Sequence, residues 1–78
     1  VSADGPLEVG WRLLDGQATV IVVNPTRSSV PNAKITIHGA TGEARFLSDD
    51  RRVAVADGVL RESVEPLGVR VFVVKVAG

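Results

Sequence analysis

Val69-Arg70-Val71-Phe72-Val73-Val74-Lys75-Val76 is the stretch whose reading decides the fold of this 78-residue chain. Five of its eight residues are valine and one is aromatic. Such side chains are stiff at χ1 and fit a pleated surface better than a helix. The chain enters it through Glu65-Pro66-Leu67-Gly68. Pro66 presets φ for the first central position of a type I turn, and Gly68 suits its last position. A turn followed by a straight eight-residue run reads as a strand.

Working backwards, the same pattern recurs. Arg52 to Ala56 and Val59 to Val64 flank Asp57-Gly58 and read as a hairpin. Val55 is expected opposite Leu60, and Val53 then falls opposite Glu62, a mismatch that predicts a bulge or an edge position. Glu43 to Leu47 is a short strand carrying Phe46, and Asn32 to His38 is another, with Ala33, Ile35 and Ile37 inward. Gly39-Ala40-Thr41-Gly42 is the turn between them, while Ser48 to Arg51 and Asn24 to Pro31 are loops by composition.

The first hairpin is the most explicit. Leu7 to Leu14 alternates, Asp15-Gly16 suits a type I′ turn, and Gln17 to Asn24 returns. A two-residue turn puts Leu13 opposite Ala18, Trp11 opposite Val20 and Val9 opposite Val22, all on one face. The other face pairs Arg12 with Thr19, Gly10 with Ile21 and Glu8 with Val23. The whole reads as one domain over residues 7–76, preceded by a linker remnant at 1–6. Short strands with turn residues between them predict an all-β, antiparallel β-sandwich of about seven strands, Greek-key-like in its connections.

Composition narrows the function classes. Apolar residues make up 45% of the chain, enough for a packed interior. Nine basic and nine acidic residues cancel, which argues against a nucleic-acid or anionic-membrane surface. No apolar run approaches a membrane-spanning length, and no signal peptide is visible. Cysteine is absent, so there is neither a disulfide nor a thiolate metal site. Methionine is absent even at position 1, which sets the expectation of a processed chain or a domain cut from a longer one. At this length, stability is expected at only about 4–12 kcal/mol, a hint of a neighbour in the native setting.

No catalytic, cofactor or metal site is expected. Asp15 and Asp57 have turn roles, and Glu8 and Glu62 read as outward or edge residues. Asp49-Asp50 lacks the further oxygen ligands of a dedicated calcium site. His38 is the sole histidine, at a strand end, and a triad would have to borrow Ser28 or Ser29 from a loop without a nucleophile elbow. Arg51-Arg52 beside Asp49-Asp50 reads as a self-neutralising, solvated cluster. Trp11, on the core face, reads as packing rather than as a sugar platform. The surviving candidate is a domain-docking face of Ile21, Val23, Phe72 and Val74, apolar residues on the faces opposite their strands' first-choice core positions.

The sequence "ATVIVVNPT", two further strands, and "RRVAVADGVLRESVEPLGVRVFVV" together resemble the C-terminal β-sandwich domain that follows the (β/α)8 catalytic barrel in many glycoside hydrolases. The matching positions are Val20 to Thr26, Val53 to Gly58 and Val64 to Phe72, and the likeness spans roughly residues 7–76. The family often carries aromatics where this chain has Val64 and Leu67. The resemblance implies a non-catalytic accessory domain whose partner is the barrel of its parent chain, with the catalytic carboxylates on that barrel. It implies no cofactor; the localisation is left open, with an extracellular or periplasmic setting favoured over a cytoplasmic one. A carbohydrate-binding module and a fibronectin-like spacer or adhesion module are the alternatives.

Overall fold

The computed structural model describes residues 1–76. Eight strands follow in chain order: β1 (Ser2–Ala3), β2 (Glu8–Leu14), β3 (Gln17–Val23), β4 (Val30–Thr36), β5 (Ala40–Phe46), β6 (Arg52–Ala54), β7 (Val59–Val64) and β8 (Val69–Val76). They form two antiparallel sheets, of order β1-β4-β7 and β2-β3-β8-β5-β6. The architecture is an all-β sandwich, as its valine-rich alternation predicts.

β8 sits at the centre of the larger sheet, paired with β3 on one side and β5 on the other. The chain's most strand-like stretch is therefore its most enclosed one. Its register places Val20 opposite Phe72 and Ala18 opposite Val74. Phe72, Val74, Val20 and Ala18 thus share the inner face, where Phe72 meets Phe46 with ring centroids 5.0 Å apart. Ile35, Ile37, Leu60 and Val64 from the smaller sheet and its margins close the core from the other side.

The first hairpin forms in the expected register, with all six expected pairs among those observed. Asp15 and Gly16 both take positive φ, 52° and 74°, as a type I′ turn requires.

Three elements differ from expectation. The stretch 1–6, read as a linker remnant, lays Ser2–Ala3 against Ile35 and Thr36. The Asp4 carboxylate accepts the Lys34 amide hydrogen at 3.0 Å and helps to anchor it. Secondly, Asp57-Gly58 turns the chain without making a ladder. Only Ala56 and Val59 bridge there; β6 pairs with β5, and β7 belongs to the other sheet. The turn is a crossing between layers, fixed because Gly58 O accepts the Ile37 amide at 2.7 Å. A Cβ at Gly58 would stand 2.7 Å from Ile37 O. Thirdly, Leu67 has φ of 58°, so the Glu65–Gly68 turn is of type II rather than type I. Loop contacts hold it: the Leu67 amide donates to Thr26 O and Gly68 O accepts from the Asn24 amide.

Candidate functional site

The four residues expected on one outer apolar face lie on opposite sides of the sheet. Ile21 and Val23 do point outward, but Phe72 and Val74 do not, being 0% and 2% exposed. The strand Val69–Val76 is apolar on both faces, so alternation alone does not orient it. In the fold Arg70 lies on the same inner side as Phe72, near the sandwich margin, and finds carboxylate partners there. The outward neighbours of Ile21 and Val23 are instead Val71 and Val69. Leu47 joins them, its amide donating to Val71 O at 3.0 Å. Ile21, Val69 and Leu47 are exposed, and Val23 and Val71 are half-buried. These residues make an apolar strip across the middle of the larger sheet's solvent face. None of the domain's own core covers this strip.

A second apolar surface lies at the sheet's rim. Trp11 and Leu13 face the core side, as their register predicts, yet they are 55% and 53% exposed. The reason is strand count: the larger sheet has five strands and the smaller has three, so the inner side of β2 is only partly roofed. A cleft of about 150 Å³ opens there, lined by Val1, Trp11, Leu13, Ile37, His38 and Val76 among others. The sequence reading of Trp11 as buried packing is thereby corrected. Its face was legible; its cover was not.

A polar groove of about 560 Å³ runs over β5, β6 and β8 and is lined by Gln17, Thr41, Glu43, Arg45, Arg52 and Lys75 among others. It opens where the β5–β8 register shifts between Thr41 and Arg45. Arg45 and Arg52 stand directly opposite one another.

The acidic and basic residues assemble differently from expectation. Glu62, read as an outward or edge residue, does lie on an edge strand, β7, but it is 7% exposed and faces the sandwich interior. Arg51 grips both its oxygens, donating from Nη1 to Oε1 at 3.0 Å and from Nη2 to Oε2. Arg70 Nε donates to Oε2 at 3.0 Å. Arg70 also pairs with Glu65 and donates to Ser63 O. Arg51 Nε donates to Asp49 at 3.2 Å, and its guanidinium lies 4.5 Å from the Phe46 ring centroid. The network joins β7 of one sheet to β8 of the other, with the β5–β6 loop folded over it. Hydrogen bonds to Glu62 and Glu65 hold the Arg51 and Arg70 guanidinium pKa values above the usual arginine range. The Arg70 hydrogen bonds hold the Glu65 carboxyl below the usual glutamate value. Arg51 thus stays exposed and neutralises Asp49, as its sequence neighbourhood suggests, and in addition clasps Glu62.

Asn24 is fully buried and serves the backbone. Its Nδ2 donates to the carbonyls of Ser28, Val64 and Glu65, and its Oδ1 accepts from the Thr26 amide and hydroxyl. Asn-Pro-Thr therefore ties the β3–β4 loop to the turn before β8. His38 borders the Trp11 cleft, and Ser28, Ser29, Asp49 and Asp50 lie on exposed loops. Among the described residues, no group of three His, Asp or Glu side chains converges as metal ligands would.

Comparison with protein-family models, with characterised proteins and with solved structures finds no match to this chain.

Proposed function

We propose that this domain is a non-catalytic accessory β-sandwich that rests against the (β/α)8 catalytic barrel of a glycoside hydrolase. The observation that carries the reading is the apolar strip of Ile21, Val23, Leu47, Val69 and Val71 on the outer face of a fully formed sheet. The motif resemblance over residues 7–76 supplies the kind of partner. The sandwich holds its shape through the core and the Arg51–Glu62–Arg70 clasp, and the strip supplies area for burial against a larger body at roughly 25 cal/mol per Å².

The test begins with the encoded residues upstream of Val1. A (β/α)8 pattern there supports the reading; tandem copies of this domain would replace it with the spacer reading. With a barrel in hand, the isolated sandwich is titrated against it. Ile21→Lys and Val71→Lys are expected to weaken the complex while leaving thermal unfolding of the sandwich nearly unchanged. Binding unaffected by both substitutions would overturn the docking face.

A second reading, carbohydrate binding, is favoured by Trp11, which is 55% exposed beside a cleft. Exposed aromatic faces stack on apolar ligand faces. The chain has one Trp, so its fluorescence reports on this position alone. Saturable quenching by a soluble glycan supports the module; a flat titration removes it.

A further inference from the structure

We infer that β2 is a self-association edge, and that two copies of this chain join through it into one continuous sheet. The inference concerns the rim of the larger sheet and does not depend on what covers its outer face.

Among the described residues, the other rims are short or partly capped. β6 is three residues long and β1 two. Along β7, Arg70 caps the Ser63 carbonyl. β2 runs for seven residues without proline or register shift. Among the described residues its backbone pairs with β3 alone, and no side chain hydrogen-bonds to it. An open, flat, apolar edge is a template for another strand unless something guards it. Leu14 and Gln17 flank the two-residue turn, and such a flanking pair exchanges both its hydrogen bonds. The backbone groups of Leu14, Arg12, Gly10 and Glu8 therefore face β3. Those of Leu13, Trp11 and Val9 face the free rim.

Gly10 carries the argument further. Glycine inside a strand weakens it and often marks close approach of another backbone or a bulge. No bulge occurs here. Gly10 does not take a positive φ, and a Cβ built on it meets nothing within 4 Å. Its own fold gives no reason for a glycine at this position.

The charge pattern selects the partner. In an antiparallel pair of β2 strands centred on Gly10, Glu8 of each copy stands opposite Arg12 of the other. Val9 then stands opposite Trp11, and Leu13 opposite Leu7. The two ion pairs fall on the outer face and the apolar pairs on the inner face, where Trp11 and Leu13 are otherwise uncovered. Centring on Trp11 sets Arg12 opposite Gly10 and Glu8 opposite Leu14; centring on Arg12 opposes like charges. Only the Gly10 register joins both charges, and it places two glycines at the two-fold axis. The strand is complementary to itself, so a second copy is the occupant that fits.

The experiment is sedimentation velocity of the 78-residue chain across a concentration series, with charge reversals. A reversible dimer is expected. Glu8→Arg or Arg12→Glu alone should raise its dissociation constant about tenfold or more, by opposing like charges at both pairs. The double variant Glu8→Arg/Arg12→Glu should restore the dimer, which separates lost pairing from lost folding. In a second measurement, Gly10→Cys should form a disulfide-linked dimer on mild oxidation. A non-hydrogen-bonded antiparallel pair has Cα atoms about 4.5 Å apart, within disulfide range. Glu8→Cys should cross-link much more slowly. A monomer at all concentrations would overturn the inference and leave the edge to a strand from a different polypeptide. So would a dimer indifferent to the single reversals, or equal cross-linking of the two cysteine variants.

Discussion

Asn24 shows how much one side chain can hold together. It is buried, and its amide satisfies carbonyls on two separate segments. Asn24→Ala removes five hydrogen bonds and leaves Val64 O without that donor inside the protein. The expected cost is about 2–4 kcal/mol, since an unsatisfied buried polar group is expensive. Urea unfolding of the variant checks it, with an unchanged m-value as the sign of an intact end state. Leu67 is the opposite case. Its φ of 58° is a left-handed conformation that L-residues with a Cβ dislike, and its side chain is 65% exposed. Leu67→Gly relieves the strain with little burial to lose, so a gain of about 0.5–1 kcal/mol is expected. A lowered melting temperature would show that the Leu67 side chain is held by contacts stronger than the strain.

Among the elements, the clasp between β7 and β8 gives the clearest pH signature. Glu65 has its pKa lowered by Arg70 from an ordinary value of 4.5. Ionised Glu65 therefore stabilises the fold, fully so above 4.5. Between 4.5 and the depressed folded value, unfolding takes up a proton, so stability falls as pH falls. Glu65→Gln is expected to flatten that limb of a melting-temperature profile and to lower the melting temperature at neutral pH. Glu62→Ala should cost about 2–3 kcal/mol, less than the ~3–5 kcal/mol of a fully buried pair, because Arg51 stays 42% exposed. Calorimetry of the two variants distinguishes a buried partner from a surface one. These elements also mark how far the sequence can be read. The β2–β3 hairpin was legible in full because turn chemistry and alternation agree. The Asp57-Gly58 crossing was not, since the same dipeptide serves a ladder or a change of layer, and only the contact with Ile37 decides between them. Glu62 was read as an outward or edge residue; its burial beneath Arg51 and Arg70 is a tertiary fact. Trp11 was placed on the correct face and then mistaken for core, because alternation says nothing about how many strands lie overhead.

At the scale of the whole molecule, two layers of unequal width make one compact core and leave two apolar surfaces outside it. Core and surface respond differently to the same kind of change. Phe72→Ala should cost about 3–5 kcal/mol, a large share of the roughly 4–12 kcal/mol expected of a chain this size. Phe72→Glu should abolish folding. Val71→Lys, one residue away on the outer face, should shift stability by less than about 1 kcal/mol. Thermal melts of the set measure the difference directly, and a folded Phe72→Glu would place that ring outside. The position of β8 carries a further implication for how the chain is made. It is the last of the eight strands to leave the ribosome, yet it fills the gap between β3 and β5. Until it arrives, the larger sheet exists as two separate pieces with raw inner edges. Productive folding therefore waits for release of the whole domain, and a nascent chain stalled short of Val69 should be held by chaperones rather than protected by its own structure.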